Sequence, residues 1–137
     1  MSNDHDSSLE LFFEPKHKVL LVTFSGAFTR TATIDLNKAA KAVVERHGHV
    51  AAILDFSDVT DFAIELRDWP ELGNSRRAIR GKPRVLVAPQ TATFSILWLH
   101  GAHHSGTGEG TAVVATRLEA YRRLALEDPA FEPLDLS

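Results

Sequence analysis

The sequence predicts an α/β domain: a five-stranded mixed sheet, with an antiparallel amino-terminal hairpin and parallel pairing elsewhere, covered by four helices. Three observations lead there. Segments 9–14 and 19–25 are both strand-like and are separated by only four residues, which leaves antiparallel pairing as the simple geometry. Beyond them, helical and strand-like segments alternate strictly. Residues 50–54, VAAIL, are apolar on both faces, as in a strand sandwiched inside a sheet.

Taken in order, residues 9–14 (LELFFE) form an edge strand, and Pro15 opens a turn because its ring presets one backbone dihedral. Residues 19–25 (VLLVTFS) are rich in β-branched and aromatic side chains and form the second strand, broken at Gly26. Hydroxyls between Thr29 and Thr33 can cap a helix over about 32–47, with Leu36, Ala40, Val43 and Val44 at helical spacing. Gly48 then stops it. The strand from Val50 follows at once, so strand, helix and strand make a right-handed parallel unit. That strand runs into a polar loop, Asp55 to Phe62, in which Asp55, Ser57, Asp58, Thr60 and Asp61 surround the apolar anchors Val59 and Phe62.

Asp68 and Glu71 suit a capping box, with Pro70 in the first turn, for a helix over about 69–79 ended by Gly81 and Pro83. Residues 84–88 are the next buried strand, and Thr91 caps a helix to about His103. The glycine-rich SGTGEG leads into a strand over 111–115. Thr116 and Glu119 form a second capping box for a last helix with Leu118, Tyr121 and Leu124 turned inward. The division expected is a flexible start over 1–8, a single domain over 9–126 and a tail over 127–137 that is extended or loosely docked.

Composition narrows the function. The chain has 137 residues, 44% of them hydrophobic and 24% charged, which suits one globular domain. A formal net charge of −3, with no strongly basic half, argues against nucleic-acid binding. The one dense basic run, Arg76, Arg77, Arg80, Lys82 and Arg84, reads as a solvated helix end. The absence of cysteine excludes disulfides, thiolate metal sites and a cysteine nucleophile. The polar, acidic first residues are unlike a signal peptide, and no apolar run reaches the roughly 20 residues a membrane span needs. A cytoplasmic protein, not transmembrane and without a cofactor, is therefore expected.

Three constellations compete as sites. His100, His103 and His104 include two imidazoles four apart, a metal-ligating spacing, with Glu109 or His5 as a third ligand. Gly101 stands where a zinc protease needs glutamate, so a polar helix end is the simpler reading. SGTGEG joins a helix to a strand and has no lysine, unlike a phosphate loop. Asp55, Asp58 and Asp61 are candidate acid/base or Mg²⁺ ligands, but aspartates are natural turn residues and the turn role is the favoured reading for the set. With no GxSxG elbow, nucleophilic serine chemistry is unsupported. Phe28, Phe62 and Trp98 are core residues by default, and in the alternative to a binding module, an apolar-ligand carrier, they would line its groove. A His-dependent metalloenzyme using His100 and His104 stands third.

LLVTFSG, ILDFSDVTDF and RVLVAP, in this order of elements, resemble the STAS-type, SpoIIAA-like domains of anti-sigma-factor antagonists and sulfate transporters, over about residues 19–124. The resemblance implies a bacterial, noncatalytic, regulatory module working at the carboxyl edge of its sheet. In that family a serine follows the phenylalanine and accepts phosphate from a partner kinase. Here the stretch reads Ala63, Ile64, Glu65, Leu66, with no hydroxyl and with Glu65 as a fixed negative charge. The expected contacts to a protein partner or small ligand are therefore Thr29, Arg30, Asp55, Ser57, Asp58, Thr60 and Glu65, without a serine switch. Self-association as a homodimer stays open.

Overall fold

The computed structural model of the chain describes residues 7–63, 84–90 and 111–134. Its strands are β1 (Ser7–Glu14), β2 (Val19–Thr29), β3 (Ala51–Ala63), β4 (Arg84–Val87), β5 (Thr111–Val114) and β6 (Glu132–Pro133). They form one sheet in the order β5-β4-β3-β2-β1-β6. β1 and β2 are an antiparallel hairpin, β2 to β5 are mutually parallel, and β6 runs antiparallel to β1. The expected five strands are all present, and the tail supplies a sixth. Among the described residues there are two helices, α1 (Arg30–His47) and α2 (Arg117–Arg123). The helices expected over 69–79 and 91–103 lie outside the described residues, as do SGTGEG and the three clustered histidines.

Strand alternation divides the core between the two faces of the sheet. Leu20, Val22 and Phe24 of β2, Ala52, Leu54 and Phe56 of β3, and Leu86 of β4 pack with Leu36 and Val43 of α1. Val19, Leu21, Ile53, Val85 and Val87 face the other way and pack with Ala120 of α2 and with Leu126. α1 begins two residues earlier than its apolar spacing indicates, because Thr29 is the cap and its hydroxyl oxygen accepts from the Ala32 amide at 3.4 Å. It ends where Gly48, at φ 82, turns its N–H onto the Val44 carbonyl.

The principal correction concerns β3. The polar stretch expected as a loop from Asp55 to Phe62 is strand, paired with β2 as far as Ala63 against Thr29. Two bulges accommodate it. While β2 advances from Thr23 to Ser25, β3 advances from Asp55 to Asp58; from Gly26 to Ala27, β3 goes from Val59 to Asp61. Each step inserts one extra residue in β3 and resets which side chains face inward. Phe56 and Val59, three apart, are thus both in the α1-side core. Gly26, expected to break β2, sits instead within it at φ 79, beside the second bulge.

Two smaller corrections, at Leu118 and Arg84, and the seating of the tail follow from packing. Leu118, expected to turn inward, is 56% exposed. Ala120 faces β4 instead, and at 100° per residue that leaves position 118 on the outer side of α2. Arg84, expected in a solvated basic run, is buried at the start of β4, while Arg76, Arg77, Arg80 and Lys82 lie outside the described residues. Residues 127–134 follow the buried Leu126 and are docked: Phe131 stacks on Tyr121, and the Leu134 amide donates to the Leu11 carbonyl at 2.9 Å. Pro133 lies opposite Phe12, one step from that bond, so it occupies a non-hydrogen-bonded position where a missing N–H costs nothing.

Candidate functional site

The carboxyl edge of the parallel strands is organised by Asp55. Alternation from Ile53 puts this carboxylate on the α2 face, where it is only 3% exposed. Burying an ion is costly unless it is paired and hydrogen-bonded, and both oxygens are occupied. Oδ1 accepts from the Ser57 amide at 2.8 Å and the Ser57 hydroxyl at 2.5 Å. Oδ2 accepts from Nε and Nη2 of Arg117 at 2.8 and 2.7 Å. The first pair fastens the bulge after Phe56; the second ties β3 to the first residue of α2.

α2 is placed to do this by its own caps. Thr116 accepts the Glu119 amide at 3.2 Å and shares its hydroxyl with the Glu119 carboxylate, the capping pattern expected from sequence. Arg117, Ala120, Tyr121 and Leu124 then fall on one face. Burial disfavours the charged Arg117 guanidinium, yet the hydrogen bond with Tyr121, and then the bond and charge of Asp55, hold its pKa above the ordinary arginine value. It remains a cation, with its side chain 39% exposed.

A second brace comes from just beyond β4. Nε2 of Gln90 donates to the Ser57 carbonyl at 2.7 Å and reaches the Val59 carbonyl at 3.4 Å. Those carbonyls belong to the bulged stretch, whose ladder is interrupted, so a side-chain donor takes the place of a strand neighbour. Beneath the bulge Phe24, Phe28 and Phe56 form a triangle with centroids 4.9 to 5.1 Å apart. Phe28 is therefore core rather than the lining of a groove; Trp98 lies outside the described residues.

Of the residues expected to make contacts, Asp58 and Thr60 are exposed on this braced edge, and Ser57 is half-buried between them and Asp55. Thr29 is half-buried at the start of α1 and Arg30 is exposed beside it; register sets Thr29 opposite Ala63 and Ser25 opposite Asp58. Asp55 itself faces inward. Glu65 lies outside the described residues. Sequence reasoning missed Arg117 and Gln90. For Arg117 a signal existed, since alternation assigns Asp55 to the second face and a helix must cover that face. For Gln90 there was none, because its role depends on bulges that no residue pattern announced. Among the described residues no group of three or more histidine, aspartate or glutamate side chains is arranged to hold a metal.

A sheet with an antiparallel hairpin, a parallel interior and α1 packed on one face is the SpoIIAA-like fold. The anti-sigma factor antagonist SpoIIAA in its unphosphorylated form superposes with a TM-score of 0.59 at 11% identity, over 86% of this chain and 98% of that one. An uncharacterized DUF3478-family protein with a SpoIIAA-like fold, from Shewanella loihica PV-4, gives a TM-score of 0.62 at 12% identity, over 90% and 98%. No family model matches the sequence, and no curated protein matches it. Among the described residues no helix is long and apolar enough to cross a membrane.

Proposed function

We propose that the chain is a noncatalytic, regulatory binding module that engages a protein partner through the bulged carboxyl edge of β3. Asp58 and Thr60 make the central contacts, with Ser57, Thr29 and Arg30 around them. The observation that carries this reading is the bracing of that edge. Asp55, Arg117 and Gln90 brace the first bulge and the start of the second, along a stretch where Asp58 and Thr60 are exposed, and bulges recur where a strand must re-aim its residues. The likeness in fold to an anti-sigma factor antagonist supports a protein partner over a small ligand. Serine phosphorylation is not the switch in this reading, because Ala63, Ile64, Glu65 and Leu66 follow Phe62. The module works in the cytoplasm of a bacterium.

The test is a photo-crosslinking residue at Asp58, compared with one at Lys41 on the exposed side of α1, in bacterial cells expressing the full chain. A discrete protein adduct is expected at position 58 alone, and it should vanish when Thr60→Arg is added. Identical adduct patterns at 58 and 41 would refute the edge as the working surface.

A further inference from the structure

We infer that residues 129–134 are an exchangeable strap, able to leave their seat on β1 and occupy the same seat on a second copy of this chain. The seat is the outer edge of β1 together with Tyr121. It is held by a ladder of two residues, Glu132 and Pro133 against Phe13 and Phe12, and by the Leu134 amide on Leu11. Phe131 on Tyr121 and the Ala130 amide on the Glu14 carboxylate complete it. So short a pairing is the least secured element of the described sheet.

The hinge is identifiable. Leu126 is anchored: its amide bonds the Tyr121 carbonyl at 2.8 Å in a Schellman stop, and its side chain lies in the second core. Glu127 and Asp128 are exposed, and Pro129 follows. Asp128 has φ 47, whereas a residue preceding proline prefers extended backbone near −120°. Folding the strap back onto its own sheet therefore holds Asp128 in a disfavoured conformation. Extending it relieves that strain and carries residues 129–134 away from β1. Short hinges under strain favour exchange between copies.

A second copy is the occupant because the seat is specific to this segment. Proline fits at the non-hydrogen-bonded position opposite Phe12, Phe131 matches Tyr121, and Leu134 matches the α1-side core. Exchange reproduces every one of these contacts in trans and changes only the hinge.

The natural chain lacks cysteine, so the test is clean. Phe12→Cys and Pro133→Cys are made in separate full-length chains, mixed at high concentration and oxidised. Opposite residues at a non-hydrogen-bonded pair are close enough for a disulfide. The expected result is a mixed covalent dimer several-fold above that from Lys16→Cys mixed with Pro133→Cys. No excess over that control overturns the proposal. Asp128→Gly, which accepts positive φ without strain, is expected to lower the yield several-fold; an unchanged yield overturns the hinge. Independently of any cysteine, sedimentation of the unmodified chain should show dimer growing slowly with concentration, and a monomer throughout refutes exchange.

Discussion

Arg117 directs Nε and Nη2 at a single oxygen of Asp55, 2.8 and 2.7 Å away, joining two residues 62 positions apart in sequence. The carboxylate is buried and the guanidinium is partly open to solvent, so the two ends of the pair are not equivalent. Removing Arg117 strands a buried anion whose remaining partner among the described residues is Ser57, whereas removing both partners leaves no such orphan. Arg117→Met should cost about 2 kcal/mol, below the 3–5 kcal/mol typical of fully buried pairs because solvent screens the exposed side. Asp55→Leu with Arg117→Met should cost less than the two single changes added together. Urea denaturation of the four chains measures the coupling, and strict additivity would contradict the described pairing.

Gln90 acts locally. Gln90→Ala removes a donor from the Ser57 and Val59 carbonyls and should cost about 1 kcal/mol globally. Amide exchange at Ser57 to Thr60 should accelerate more than at Ile53 or Leu54, which lie before the bulges. Uniform acceleration along β3 would show that the side chain has no special hold on the edge.

Ala125 occupies the left-handed position of the Schellman stop after α2, at φ 57. Glycine carries no penalty there, although it also raises the entropy of the unfolded chain. Ala125→Gly is expected to stabilise by up to about 1 kcal/mol, read as a higher urea midpoint at unchanged slope. A lower midpoint would contradict this geometry.

Glu14 sets an acid limit. Burial raises its pKa, but the His17 amide at 2.6 Å, the His17 ring at 3.1 Å and the Ala130 amide outweigh it, and the result lies below the ordinary glutamate value. A folded-state pKa below the unfolded one contributes stability that is complete above the unfolded value and is lost as pH falls through the folded value. Stability should therefore decline on the acid side of the ordinary glutamate range. Glu14→Gln should be less stable near neutrality and flatter over that acid window, by urea midpoints taken across pH. A natural chain whose midpoint rises on acidification through that window would contradict a lowered Glu14 pKa.

Thr29 separates two roles that sequence reasoning merged. Its oxygen caps α1 at a long 3.4 Å, so Thr29→Ala should cost about 0.5–1 kcal/mol, the lower part of the capping range. Thr29→Ser should restore most of it. A serine chain as weak as the alanine chain would point away from capping.

The hairpin, α1 with its two caps, the sandwiched start of β3 and the Thr116 box were legible because each depends on local spacing or on chemistry within four residues. The second half of β3 was not. Asp55, Ser57, Asp58 and Thr60 have the composition of a turn, and only pairing with β2, anchored by Phe56 and Val59 in the core, keeps them extended. Leu118 was misplaced for a related reason. Spacing gives the angle between side chains on a helix, but Arg117's bond to Asp55 and the seating of Ala120 on β4 decide which angle points inward. The seat of residues 131–134 on β1 was invisible because a two-residue strand has no period to read.

Pro133 has one more consequence. Its nitrogen faces away from β1, at the row where an incoming chain would seek a donor, and it has none to offer. A strand approaching this border from outside would therefore meet, at Pro133, a position that offers it no hydrogen bond. One imide nitrogen thus makes the outer side of the strap a poorer template for a further strand than the β1 edge it covers.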